Sequence, residues 1–154
     1  MATFETSVEL RADMQHVCDF LLRPSNIIAI SPPEMNLRFN DPPEKLEPGS
    51  RIEFQVSNRG ISQTVIHEII DWSYPSGFAE RQVKGPLGTW LHEHRFEAIS
   101  DSLTRVVDHV DFTPPGGLAG MVMTEAWILN QLKTSFAYRQ DRLKTLLDNR
   151  IKGD

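Results

Sequence analysis

The sequence predicts an α+β fold: a curved antiparallel sheet of about seven strands wrapped around one long C-terminal helix, with two short helices after the first strand. Three observations predict it. Apolar and polar residues alternate through most of the stretch from 35 to 113, the period of a sheet with one buried face. The breaks between these runs are short and carry Gly, Pro, Asn, Asp or Ser. Such breaks suit hairpins, whereas parallel crossovers need a dozen residues or more. From Leu118 to Asn149 there is no proline, and Glu125, Leu129, Leu132, Phe136, Arg139, Leu143 and Leu147 recur three or four apart, as one helical stripe should.

The elements follow in order. Residues 3–10 alternate Phe4, Thr6, Val8 and Leu10 against Thr3, Glu5, Ser7 and Glu9, which predicts a half-buried strand. Residues 13–22 place Met14, Val17, Cys18, Leu21 and Leu22 at helical spacing, with Asp13 as the N-cap and Pro24 beyond the end. A second short helix is expected over 25–30, stopped by Ser31-Pro32-Pro33. Strands are expected over 35–40, 50–58, 61–72, 78–84, 89–99 and 103–113. The proline-rich loop 41–49 and turns at Asn58-Arg59-Gly60, Tyr74–Gly77, Gly85–Gly88 and Ser100–Ser102 separate them. Pro114-Pro115-Gly116-Gly117 ends the run of strands. A single helix of about 30 residues would then span roughly 45 Å, enough to cross the whole sheet.

Composition narrows the function. The 154 residues suit one domain, 1–154. With 40% hydrophobic and 24% charged residues the chain is ordinary for a globular protein. A net charge of -5 argues against nucleic acid as a partner. The longest apolar run, Ile27–Ile30, is far short of a membrane span. The first ten residues lack both the basic head and the apolar block of a secretion signal. With the single cysteine, Cys18, this predicts a reducing, cytoplasmic setting.

Several motifs go further. Phe78-x-Glu80-x-Gln82, Gly85-Pro86, Trp90-x-His92-x-His94-x-Phe96, Asp108-x-Val110-x-Phe112-x-Pro114 and Phe136-Ala137-Tyr138-Arg139 follow one another in the second half. In these motifs and in its order of elements the chain resembles the START-like, or SRPBCC, superfamily. That fold is also called helix-grip or birch-pollen-allergen-like. Within it the motifs resemble the bacterial "cyclase family" ligand-binding group. Three positions depart conservatively from that pattern: Glu80 for Asp, Leu87 for Phe and Phe112 for Tyr. The resemblance implies an apolar cavity between sheet and long helix. Members bind lipids, hormones or polyketides, and some close rings, so the likeness implies a cavity more firmly than a reaction.

Strand alternation sorts the side chains independently. Trp90, His92, His94 and Phe96 share one face, and Val106, Asp108, Val110 and Phe112 share the matching face of the next strand. A three-residue loop pairing Ile99 with Leu103 would set His94 opposite Asp108. A turn centred near Leu87 would set Glu80 beside His94 and Gln82 beside His92. Opposed side chains then lie roughly 5 Å apart. The expectation is a polar row, Glu80–His94–Asp108, on an apolar inner face.

Three readings of that row are open. The groups satisfy one another. Or they orient the polar end of an apolar ligand. Or His94, held by Asp108 or Glu80, acts as a general base. A zinc site at His92, His94 and Glu80 is a weak further signal, since no third ligand is fixed by the sequence; neither a metal nor a cofactor is assigned. The main expectation is a binder of a small hydrophobic molecule, walled by Trp90, Phe96, Phe112, Leu129, Leu132 and Phe136, with Gln82, His92, His94 and Arg139 as polar contacts. A cyclase- or dehydrase-type enzyme, or an interaction domain with a filled core, are the alternatives. Arg139 is expected either to pair with Glu125 or to hold an acidic ligand group. Glu68 rather than His67 is expected to face inward, His109 outward, and Cys18 to be an inert core thiol. Gly116–Gly120 is read as a flexible corner rather than a phosphate loop.

Overall fold

The structure is a computed structural model that describes residues 1–58 and 60–148. Strand β1 (Ala2–Leu10) is followed by helices α1 (Met14–Leu21) and α2 (Pro24–Ala29). Strands β2 (Arg38–Asn40), β3 (Arg51–Asn58), β4 (Ile61–Ile70), β5 (Gly77–Lys84), β6 (Thr89–Ser100) and β7 (Leu103–Thr113) come next. Helices α3 (Gly117–Val122) and α4 (Glu125–Leu143) follow, and a π turn over Lys144–Asp148 extends the second. The strands form one antiparallel sheet in the order β1-β7-β6-β5-β4-β3-β2. No helix among the described residues is long and apolar enough to cross a membrane.

Local chemistry explains the boundaries. Asp13 caps α1 by accepting a hydrogen bond from the His16 amide at 2.8 Å. Pro24 opens α2 at its first turn, where a missing N–H costs nothing. The strand expected over 35–40 is shortened to β2, because Pro33–Met35 form a 3-10 turn that Asn36 ends in the left-handed region at φ 48°. Asp71, also at φ 48°, stops β4 at Ile70 rather than Trp72. Arg59 of the expected Asn58–Gly60 turn, and Asn149 at the end of the expected long helix, lie outside the described residues.

The expected single helix is broken. Met123 and Thr124 leave helical geometry, and the Thr124 side chain caps α4 by accepting from the Trp127 amide at 3.2 Å. The stripe that α4 buries is Ile128, Leu132, Phe136 and Leu143, with Leu147 beyond. Glu125 is exposed at the first turn and makes no pair with Arg139. The helix is tied down at its far end, where Gln140 donates to Thr6 Oγ1 and Arg142 to the Ala29 carbonyl.

Two apolar cores result. One joins Leu10, Val17, Leu22, Ile69, Phe96 and Leu147 beneath the short helices. The other joins Ala2, Val110, Phe112, Ile128, Leu132 and Phe136 beneath α4. Cys18 lies fully buried in the first, and desolvation, with Asp19 adding to it, pushes its thiol up to about 12. It is an inert core thiol.

Candidate functional site: a cavity with a buried polar relay

The two central hairpins position the site. On β6 and β7 the register sets His94 opposite Asp108 and Phe96 opposite Val106, as the alternation predicts. A bulge at the Ala98–Ser100 end pairs Ser100, not Ile99, with Leu103 and leaves the rest in step. On β5 and β6 the register differs by two residues from expectation: Glu80 lies opposite His92, and Phe78 opposite His94. Gln82 therefore does not pair with His92. It lies across from His67, and its amide closes the 85–88 loop through the Leu87 carbonyl and amide. A shift of two preserves the face, so Glu80 still points inward and reaches His94 diagonally.

The polar groups form a chain rather than a row. His67 Nδ1 lies 2.9 Å from Glu80 Oε1, and Glu80 Oε2 lies 3.1 Å from His94 Nε2. His94 Nδ1 lies 3.4 Å from Asp108 Oδ1, in charge contact but without hydrogen-bond alignment. The same Asp108 oxygen takes a 2.8 Å bond from His92 Nε2. Three imidazoles thus alternate with two carboxylates: His67, Glu80, His94, Asp108, His92. His92, His94 and Asp108 are each no more than 3% exposed.

His67 corrects an expectation. The sequence reading puts Glu68 inward, but Val65, His67 and Ile69 are the buried parity of β4. Glu68 sits on the outer face, bridging Arg51 at 3.0 Å and Arg81 at 2.8 Å. Those two flanking arginines were the available signal. Apolar residues occupy both faces of β4, so alternation alone does not decide it. His109 lies on the outer face, half-buried between Glu5 and Asp111.

Charge states follow from the contacts. Burial raises the Glu80 carboxyl, but the hydrogen bonds from His67 and His94 outweigh it and hold the group well below its usual range. Burial likewise opposes ionisation of Asp108, and the bond from His92 together with the His94 ring beside it wins, so its pKa falls. An ionised carboxylate only accepts, so each ring nitrogen bonded to one must carry a proton. For His94 that is Nε2, bonded to Glu80, while Nδ1 faces Asp108 without bonding it. Desolvation pulls His94 down, but Asp108 and Glu80 on either side raise it above the ordinary imidazole value. His92 goes the other way: desolvation, then the neighbouring His94 charge, lower it to about 4 despite Asp108. Its neutral ring donates from Nε2. Its Nδ1 has no bond among the described residues, and it is not one of the sealed, unpartnered nitrogens, which are His16 Nε2, Trp90 Nε1 and His94 Nδ1.

Beside this relay lies a cavity of about 320 Å³, room for roughly ten waters at ~30 Å³ each. A filled core, one of the expected alternatives, is therefore not what the chain builds. Of the expected contacts, Gln82, Trp90, His92, His94, Leu132, Phe136 and Arg139 line the cavity, as does Glu80. Phe96, Phe112 and Leu129 do not: Phe96 is in the core under the short helices, and Phe112 and Leu129 pack in the core under α4. Asp108 sits one layer behind the wall, acting through His92 and His94. The opposite wall comes from residues the sequence did not single out, notably Ile27, Ile30, Phe39, Phe54 and Val65.

The described residues contain one metal-compatible cluster: Glu80, His92 and His94 offer ligand atoms within 4.8 Å of one another. His94 Nε2 is already committed to Glu80 and His92 Nε2 to Asp108, so an ion would have to replace existing hydrogen bonds.

No protein-family model matches the chain, and no curated protein matches it. Solved structures do. The ZhuI aromatase/cyclase from a Streptomyces species superposes with a TM-score of 0.75 at 18% identity, over 97% of this chain and 95% of that one. The chain has the helix-grip fold. A Chromobacterium violaceum protein gives 0.73 at 12% identity, covering 95% of this chain and 96% of its own. Ara h 8.0201 gives 0.65 at 12%, covering 94% and 96%. At these identities the likeness establishes the helix-grip architecture, and the relay must be read from this chain's own residues.

Proposed function

We propose that the protein binds a small, mostly apolar molecule in the cavity between sheet and α4, oriented by the relay. The observation that carries this is the pairing of an apolar cavity with lining ring nitrogens that make no bond among the described residues, His92 Nδ1 and His67 Nε2. Leu132, Phe136, Ile27, Ile30 and Phe54 supply apolar wall, and burying ligand surface there gains roughly 25 cal/mol per Å². His92 Nδ1 supplies an acceptor at the polar end, its tautomer fixed by Asp108 behind it. A ligand hydroxyl or amide N–H is the matching donor. Lipids, isoprenoids and polyketide-like compounds are the chemical range, and the similarity to an aromatase/cyclase supports the last of these.

A second reading, a cyclase- or dehydrase-type enzyme, rests on the same nitrogens. The His94 general base expected from sequence has no nitrogen open to the cavity, since Nε2 is bonded to Glu80 and Nδ1 is sealed beside Asp108. The base would be one of the two rings with an unbonded nitrogen, His67 or His92; for His92 the electrostatics weigh against it. A ring with a pKa of about 4 accepts a hydrogen bond far more readily than it holds a proton, which favours binding over proton abstraction.

The test uses N-phenyl-1-naphthylamine, a neutral apolar fluorophore. Saturable one-to-one binding is expected in the wild type. Ser135→Trp, which fills the cavity from α4, should abolish it while circular dichroism stays native. No saturable binding to the wild type, or unchanged binding to the filled variant, overturns the proposal.

A further inference from the structure

We infer that the cavity selects carboxylic acids, with Arg139 as the anion anchor. This rests on the binding reading above and names the ligand class. Arg139 is on α4, one turn beyond Phe136, and lines the cavity. Its guanidinium carbon lies 5.1 Å from the centre of the Phe136 ring, so the half-buried cation lies over the apolar wall. Among the described residues no carboxylate comes within ion-pairing distance of it, and it donates no hydrogen bond.

Arg11 and Arg38 also lack a carboxylate partner but are exposed, and Arg142 donates to the Ala29 carbonyl, so Arg139 is the one half-buried arginine among the described residues with neither an ion pair nor a hydrogen bond. Arg23, Arg51, Arg81, Arg95 and Arg105 all face a Glu across the surface. The nearest candidate inside the cavity, Glu80, is fully engaged by His67 and His94. The alternative partner on its own helix, Glu125, is exposed at the opposite end. A partly desolvated guanidinium without a counter-ion is costly. A planar carboxylate that arrives with the ligand matches its fork.

The relay reinforces the direction. It holds two ionised carboxylates, Glu80 and Asp108, with His94 between them turned to both, so that end of the cavity keeps an excess of negative charge against a second anion. The ligand's acid group therefore points to Arg139, and a neutral donor elsewhere on the same molecule meets His92 Nδ1.

Displacement of N-phenyl-1-naphthylamine by decanoate and by 1-decanol at pH 7.5 tests this. The two probes share a chain and differ only in the charged head. Decanoate should bind about tenfold more tightly or better, the range of a charge-assisted pair. Arg139→Gln should collapse that ratio toward one, with the melting curve used to confirm the fold. Arg139→Lys, which keeps the charge and loses the fork, should retain part of it. Equal displacement by acid and alcohol in the wild type overturns the acid selectivity and leaves the binding reading standing. An acid preference that survives Arg139→Gln overturns Arg139 as its anchor. Failure of the fluorophore itself to bind overturns both.

Discussion

Replacing Asp108 by Asn tests the relay at its most buried point. Asp108 is 2% exposed, and one oxygen serves both His92 at 2.8 Å and His94 at 3.4 Å. Asn keeps the shape and an acceptor for the His92 N–H but removes the charge. His94 then holds its second proton against Glu80 alone. Breaking a buried ionic pair by removing one partner costs roughly 3–5 kcal/mol. The retained hydrogen bond puts Asp108→Asn near the lower end, about 3 kcal/mol. For a chain of this length that lowers Tm by roughly 6–12 °C. Urea unfolding at pH 6.5 and pH 9 is the assay. The loss should be largest at pH 6.5 and shrink as pH rises through the folded pKa of His94, because the imidazolium whose partner is removed is then gone in both proteins. A loss below about 1 kcal/mol at pH 6.5, the scale of a surface pair, would refute the charge assignment.

The wild type should be most stable near pH 6.5. His92 is depressed to about 4, so its contribution is present above the unfolded value of 6.5 and lost as pH falls toward 4, up to roughly 3 kcal/mol at 1.36 per unit. His94 is raised, so its contribution is present below 6.5 and lost as pH rises through its folded value. Glu80 and Asp108 are lowered and add a further loss below the ordinary carboxylate range. A Tm that climbs steadily from pH 4 to 9 would contradict this. Gly77→Ala should cost about 1–3 kcal/mol in urea unfolding, since a Cβ there would strike the His94 backbone carbonyl; a neutral result would mean β6 yields freely. Cys18 should resist a thiol reagent at pH 8 until global unfolding, and labelling of the native protein within minutes would disprove its sealing.

The inner face of β6 and β7 was legible because a tight turn and strict alternation fix parity and register together. His94 against Asp108 followed from that. The β5–β6 register was not legible, because the 85–88 loop is set by the Gln82 side chain bonding back to Leu87. The error was an even number, so Glu80 stayed on its face. His67 was lost because β4 carries apolar residues on both faces and Asp71 reverses the chain before Trp72 can report parity. The break before α4 has no proline or glycine to announce it, only Thr124 in capping position. The cavity wall from α2, β2 and β3 depends on which segments meet across the fold. That is information no local window contains.

The sheet order has a consequence for synthesis. Strand β1 is an edge whose sole strand neighbour among the described residues is β7, with Leu10 paired to Thr104. At ribosomal speeds of roughly 5–20 residues per second, the partner emerges some 5–20 s after β1 does. For that interval a half-apolar strand waits on the nascent chain with its backbone unpaired. Glu5 and Glu9, which lie on its outer face in the finished protein, are then the charges that discourage it from pairing with its counterpart on a neighbouring ribosome.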